Sequence, residues 1–323
     1  MRRPRWTVRS GLDRARRHSR MSKSRARWVA SLRPWLLLAP ALLALGILLL
    51  YPLLRVGWLS LQDYGLRQVV SGEDTALGLA NYRELFADPL LWRTVVPNTV
   101  VFAVVTVVLT VVLGTLVALL LRSLGLWGRG LLTTAILFAW AVPAVTGTYV
   151  WIGVFDPVDG IVTQAASSLG LNDPGQDNWF TQRLPFYAIV TLNVVHHGFP
   201  FVAITVLAGL LTIPQELTEA AILDGAGAWR RFWAITVPII RPVFAVVTIL
   251  STIWDFKVFT QIYLMPGGNG ANREVFNLGV WSYVSSFAQN RYGFGSAIAV
   301  VLTLVLMAIT MLYVRTVFRD DDL

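Results

Sequence analysis

Cysteine is absent from this sequence, which excludes a disulfide framework, a thiolate metal site and a cysteine nucleophile. Histidine occurs only at His18, His196 and His197. The adjacent pair would point about 100° apart on a helix, a poor geometry for joint metal ligation. No G-x-x-x-x-G-K-[ST] loop occurs, so ATP is not bound or hydrolysed here through a phosphate loop. Nor is there a triad or metal constellation of the kind a membrane enzyme uses. Lysine appears twice, at Lys23 and Lys257, and charged residues make up only 14% of the chain.

What replaces charge is apolar surface. Hydrophobic residues are 55% of the sequence and the mean hydropathy is positive, a profile that excludes an ordinary soluble domain. Apolar runs lie at roughly 35–57, 97–121, 131–154, 185–211, 239–264 and 296–317. Each reaches the ~20 residues a spanning helix needs. Backbone groups in lipid must be satisfied internally, and no period-two alternation supports a barrel. The sequence therefore predicts an all-α, polytopic membrane protein with six transmembrane helices.

Twelve Lys and Arg residues precede Pro34, opposed there only by Asp13. The predicted organisation is a basic cytoplasmic tail over 1–33 without fixed structure, a transmembrane domain over 34–317 and a short cytoplasmic tail over 318–323. With the N-terminus inside, nineteen basic residues fall on the cytoplasmic side and six, Arg67, Arg83, Arg93, Arg183, Arg273 and Arg291, on the outer side. That asymmetry places both termini in the cytoplasm. The tail's charge suits anionic lipid rather than nucleic acid. The first run follows a basic stretch of ~33 residues and exceeds the usual signal-peptide length, so it reads as a retained helix.

One polar stretch, "QELTEAAILDGAGAWRRFWAITVPIIRP", interrupts the lipid-soluble second half at 215–242. Pro214 suits a helix start, and Glu216 and Glu219 suit the positive end of its dipole. Gly225 and Gly227 loosen the backbone after Asp224. A second helix from Ala228 then carries Trp229, Phe232 and Trp233 on one face, with Arg230 and Arg231 turned away. An amphipathic hairpin resting on headgroups explains the tryptophans and arginines. The small cluster Ala220, Ala221, Asp224, Gly225 and Ala226 instead suits close approach by another protein.

"EAAILDGAGAWRRFWAITVPIIRP" closely resembles the EAA signature of bacterial binding-protein-dependent ABC transporter permeases, with Glu219, Ala220, Ala221, Gly225, Ile235, Pro238 and Pro242 at the matching positions. "LGLANYRELFADPLLWRTVVPNTVVF" and "FTQIYLMPGGNG" resemble segments of the carbohydrate, maltose-permease-like branch. The resemblance implies the type I importer permease fold and the cell membrane. It also implies transport of a sugar or oligosaccharide, with glycerol 3-phosphate or another solute as the alternative, by a subunit that is not itself an enzyme. Segment 213–242 would be the coupling segment, with Gly225 the elbow, Glu219 a polar contact and Ala220, Ala221, Asp224 and Ala226 the surface seated against an ATPase. The implied partners are a second permease, an ABC ATPase dimer that holds ATP and Mg, and an extracytoplasmic solute-binding protein, a lipoprotein. No cofactor is implied in this chain.

Polar groups within spans are functional candidates by default. The fourth run offers Asn193, His196, His197 and Phe199, with Gly198 and Pro200 expected to disturb the helix and bare carbonyls to a cavity. The fifth offers Trp254, Asp255, Phe256, Lys257 and Phe259. Amides and carboxylates pair with sugar hydroxyls and aromatic faces with the ring's C–H surface, so these are the candidate substrate path. Trp140, Tyr149 and Trp151 are further candidates. The family segment often carries Asn where Lys257 stands, a departure that points to a charged substrate or a salt bridge involving Asp255. A secondary transporter would need internal repeats or unwound acidic sites at mid-membrane, and neither it nor a scaffold explains the glycine elbow.

Overall fold

The computed structural model describes residues 37–73, 75–171 and 178–318; the expected tail over 1–33 and the last residues of the expected C-terminal tail lie outside these. The described residues form helices and contain no strand. The chain divides into two compact units, Met1–Val56 and Gly57–Leu323. The first contributes most of α1, Leu37–Ser60, a helix long and apolar enough to cross a membrane.

In the second unit a short helix at Leu66–Ser71 is followed by α2 (Ala80–Ala87), α3 (Leu91–Ser123), α4 (Leu126–Trp140), α5 (Ala144–Val154), α6 (Ile161–Ser168) and α7 (Arg183–Leu210). There follow α8 (Gln215–Leu223), α9 (228–239), α10 (Arg241–Phe256), α11 (Thr260–Leu264), α12 (278–288) and α13 (Tyr292–Phe318). Among the described residues five helices or joined helices are long and apolar enough to span, and the bent pair α4 and α5 brings the number to six.

Three of the expected runs differ in detail. The run at 131–154 is broken into α4 and α5, which meet at 91°. Pro143 lies at the break with φ −57° and ψ 137°; proline has no N–H to continue the ladder and biases Val142 away from helix. Conversely, α7 passes through Pro200 as one helix, so the interruption expected there is absent. The fifth run ends its first helix at Phe256 and restarts at Thr260, with Lys257 as the C-cap.

Helix α7 is central: 56% of its most apolar window is buried, against 33% for α3. Two hydrophobic clusters share it. One gathers Phe186, Ile189 and Val190 of α7 with Leu85, Phe276, Trp281 and Ile298. The other gathers Val202, Val206 and Leu210 with Ala118, Leu121 and Ile240. Between them on α7 lie the two histidines, Gly198 and Pro200. Small residues set the α3 to α7 crossing. A Cβ on Gly114 would stand 2.6 Å from Val202, and one on Gly198 would stand 3.1 Å from Thr110; such close backbone approach is how membrane helices gain packing.

Buried amides secure the ends. Asn81, from the "GLANY" motif, donates to the carbonyls of Ser60 (3.0 Å) and Gln62 (2.8 Å), and the Tyr82 and Ser60 hydroxyls are 2.8 Å apart. Asn98 donates to the carbonyls of Glu274 (2.9 Å) and Phe276 (2.8 Å) and accepts from Arg183 Nε at 2.6 Å, joining α3, α7 and the 273–277 loop. Replacing Asn98 by Ala strands three polar partners, two of them carbonyls in a closely packed region. The expected cost is about 3 kcal/mol, read as a lower thermal midpoint in detergent; an unchanged midpoint would contradict the role assigned to this amide.

Candidate functional site

The polar stretch folds as two helices around a left-handed turn. Helix α8 ends with Asp224 as C-cap. Gly225 has φ +76°, Gly225 N donates to Ile222 O (3.0 Å) and Ala226 N to Ala221 O (2.9 Å). This pair of bonds is a Schellman motif with glycine at its left-handed position. A Cβ on Gly225 would meet nothing within 4 Å, so the backbone conformation rather than space calls for glycine.

Around the turn the surface is apolar and open. Leu223 is 88% exposed and Trp229 75%, and Leu217 and Ile222 are exposed as well. Glu219, Ala220, Asp224 and Gly225 are exposed, while Ala221 and Ala226 are half-buried. Gln215 Nε2 donates to Glu219 Oε1 at 2.7 Å. Trp229, Phe232 and Trp233 pack edge to edge or stack, with ring centroids 5.2–6.4 Å apart. Arg231 does not turn away as expected. It donates to the Ala226 carbonyl at 2.6 Å and shares a groove with these rings, so it braces the turn.

The elbow is coupled to the spans by short links. Helix α9 runs into α10 through Ile240, which is buried. A Cβ on Gly209 of α7 would lie 3.0 Å from Val243 of α10, so a displacement of α10 is felt directly by the central helix.

The intramembrane candidates separate into two places. Asn193, His196 and His197 line a cavity of about 170 Å³. Its other walls come from the break in the bent pair, with Ala139, Val142, Ala144 and Gly147, and from Trp151 and Gln261. Both histidines reach this cavity despite their different directions along α7. Trp151 lies 6.1 Å from His196, ring to ring. The discontinuity expected on α7 therefore sits on the facing segment, where irregular backbone borders a cavity, as membrane proteins require. Gln261, which is buried, was missed as a candidate although it belongs to the recognised "FTQIYLMPGGNG" segment; nothing local marks it apart from its neighbours.

The remaining candidates stand apart from this cavity. Phe199 lies 6.4 Å from His196 and packs on the second core cluster. Trp254 meets Phe201 edge-on at 5.0 Å. Phe256 is buried. Asp255 is buried and its Oδ2 lacks a hydrogen-bond partner, whereas Lys257 is exposed. Trp140 and Tyr149 do not line the cavity. Among the described residues no group of three His, Asp or Glu is arranged to hold a metal ion.

Phe259 belongs to a chain of rings. It stacks on Tyr263 at 5.1 Å, both contact Tyr283 at 4.9 and 5.1 Å, and Tyr283 leads through Phe287 (5.0 Å) and Tyr292 (6.3 Å) to Tyr64 (6.5 Å). The Tyr64 end is fixed by the Gly293 N to Tyr64 O bond at 2.8 Å and by the ion pair of Arg291 with Glu84.

The sequence pattern of the family described as "Binding-protein-dependent transport system inner membrane component" matches residues 110–320. The chain is 37% identical over 292 residues to the diacetylchitobiose uptake system permease protein DasB of Streptomyces coelicolor, covering 90% of this chain and 88% of that one. It is 31% identical over 282 residues to the trehalose transport system permease protein SugA of Mycobacterium tuberculosis, covering 87% of each. Its fold is shared with a chain of the bacterial alginate ABC transporter solved in complex with an alginate pentasaccharide-bound periplasmic protein, at TM-score 0.73 and 22% identity over 88% of this chain and 95% of that one. Taken with the spans and the signature helix pair, these matches establish that the chain belongs to the inner-membrane components of binding-protein-dependent transport systems, as a multi-pass ABC permease subunit.

Proposed function

We propose that this chain forms half of the translocation pathway of an ATP-driven oligosaccharide importer and receives its driving force at the Gly225 elbow. The observation that carries the coupling role is the Schellman turn, whose left-handed glycine is flanked by exposed Leu223 and Trp229. A monomer has no reason to hold a rigid apolar knuckle out of its packed body, whereas a groove on an ATPase subunit would bury it. Glu219, Ala220, Ala221, Asp224 and Ala226 form the contact surface. The ATPase dimer, with its ATP and Mg, a second permease and an extracytoplasmic solute-binding protein complete the complex. The basic residues along the sequence put the elbow and both termini in the cytoplasm.

Closure of the ATPase dimer on ATP then moves α8 and α9, and α10 and α7 follow through the Gly209 and Val243 contact. The pathway alternates between inward-facing and outward-facing arrangements as packed helices shift together. The cavity at Asn193, His196, His197 and Gln261 and the aromatic chain from Tyr64 to Phe259 are the candidate substrate path. Amide and imidazole groups match sugar hydroxyls, and successive ring faces match a pyranose C–H face. Relatives named for diacetylchitobiose and trehalose uptake support the same substrate class.

Tyr283 touches three other rings, so Tyr283→Ala is expected to lower sugar uptake about five- to tenfold, from ~1 kcal/mol or more of lost aromatic contact. Tyr283→Phe stays near wild type, and the solute-binding protein's own affinity is unchanged. Equal uptake by Ala and wild type would remove the ring chain from the path. The complex itself is tested by mild-detergent purification of the tagged chain from its native membrane. Recovery of a second permease and a phosphate-loop ATPase, with ATP hydrolysis stimulated by oligosaccharide-loaded binding protein, is the expected result; a well-folded chain recovered alone contradicts it.

A further inference from the structure

A groove of about 1060 Å³ runs between the end of α3 and the helix following the elbow. Its apolar wall includes Val112 and Leu116, which are exposed on the outer face of α3, and Phe244. Arg122 and Arg231 line the same groove, and among the described residues its lining contains no carboxylate. Arg122 and Arg231 are half-buried. The exposed indole of Trp233 stands in the wall beside Arg231, as rings do at the boundary between headgroups and hydrocarbon.

The geometry points to an anionic phospholipid as the occupant, with its phosphate at these arginines and its acyl chains along α3. Basic pockets between spanning helices suit such headgroups. The apolar wall is what separates a lipid from free phosphate, because each buried methylene adds to its hold and inorganic phosphate gains nothing from Val112, Leu116 or Phe244. The site has a consequence for the elbow. Arg231 faces the groove and also holds the Ala226 carbonyl, so a phosphate there steadies the residue that braces the turn. This consequence rests on the coupling role proposed above, whereas lipid binding does not.

The test is native mass spectrometry of the full chain, with whatever subunits accompany it, titrated with phosphatidylglycerol and with phosphatidylcholine of the same acyl chains. Wild type is expected to retain one phosphatidylglycerol preferentially. The double variant Arg122→Gln and Arg231→Gln should bind it ~25-fold more weakly, about fivefold for each arginine, and Arg122→Lys should keep most of the binding. Leu116→Trp narrows the groove from a position exposed to lipid and should also weaken retention, so the inference stays testable if the arginine variants fold poorly. Equal retention of the two lipids, or equal phosphatidylglycerol binding by wild type and by either groove variant, overturns it. So does a Leu116→Cys crosslink formed with a second permease, which would give the groove to a protein. If the importer reading fails but selective lipid binding persists, the groove stands and only its link to coupling is lost.

Discussion

Gly225→Val is expected to reduce uptake at least about tenfold while leaving the protein in the membrane at normal abundance. The backbone at 225 has φ +76°, a region that costs an L residue ~1–2 kcal/mol and a β-branched one more. Every ~1.4 kcal/mol is a factor of ten in the population of the competent turn. No atom lies within 4 Å of the added Cβ, so the loss follows from conformation and not from collision. Gly225→Asn is the informative companion, since asparagine visits the left-handed region readily and should keep most of the uptake. Initial uptake rates normalised to membrane abundance decide the matter. Equal loss with Asn and Val would move the cause from backbone geometry to a need for bare surface at the ATPase contact.

Gly114→Leu should be severely damaging to the packing of the spans. The Cβ alone would lie 2.6 Å from Val202 Cβ and Cγ1 and 3.1 Å from the Ala203 backbone nitrogen, and the nitrogen belongs to a helix that cannot step aside. Overpacking of this kind costs ~1–3 kcal/mol or more, here at the crossing of α3 with the most buried span. A clear fall in the thermal midpoint and in membrane abundance is expected. Gly130→Leu serves as the control, because a Cβ at that position meets nothing within 4 Å. Pairing Gly114→Ala with Val202→Gly, which removes both the Cβ and the Cγ1 that the new methyl would meet, should recover part of the loss suffered by Gly114→Ala alone, and failure of that rescue would show that the crossing is limited elsewhere.

The spans and the helix pair around Gly225 were legible because each writes its physics locally. An apolar run longer than the hydrocarbon core demands a helix, and an alanine-rich turn before a glycine followed by aromatics at i, i+3 and i+4 marks a capped amphipathic pair. The α4 and α5 break was not read, although Pro143 stands in plain view. Pro200 offers the same local signal and leaves α7 unbroken, so proline alone does not decide; the close-packed neighbours of α7 hold it helical, while the α4 and α5 junction opens on a cavity. The cavity itself could be half assembled from sequence. Asn193, His196 and His197 stand out as polar residues in a span, but Gln261 and the facing alanines and glycine arrive from distant segments and carry no periodic signal. The same limit applies to Arg231, whose position on the helix suggested solvent and whose actual partner is the carbonyl of Ala226.

Because the sequence contains no cysteine, a thiol placed at the elbow is the only one in the chain. The most direct measurement is photocrosslinking from Leu223→Cys, one residue before Asp224 and 88% exposed, labelled with a benzophenone maleimide in native membranes. The account predicts a crosslink to a phosphate-loop ATPase chain, weakened in the Gly225→Val background. Labelling of Leu223→Cys by an impermeant maleimide from outside intact cells, or crosslinks to lipid alone in membranes that contain the ATPase, would contradict it.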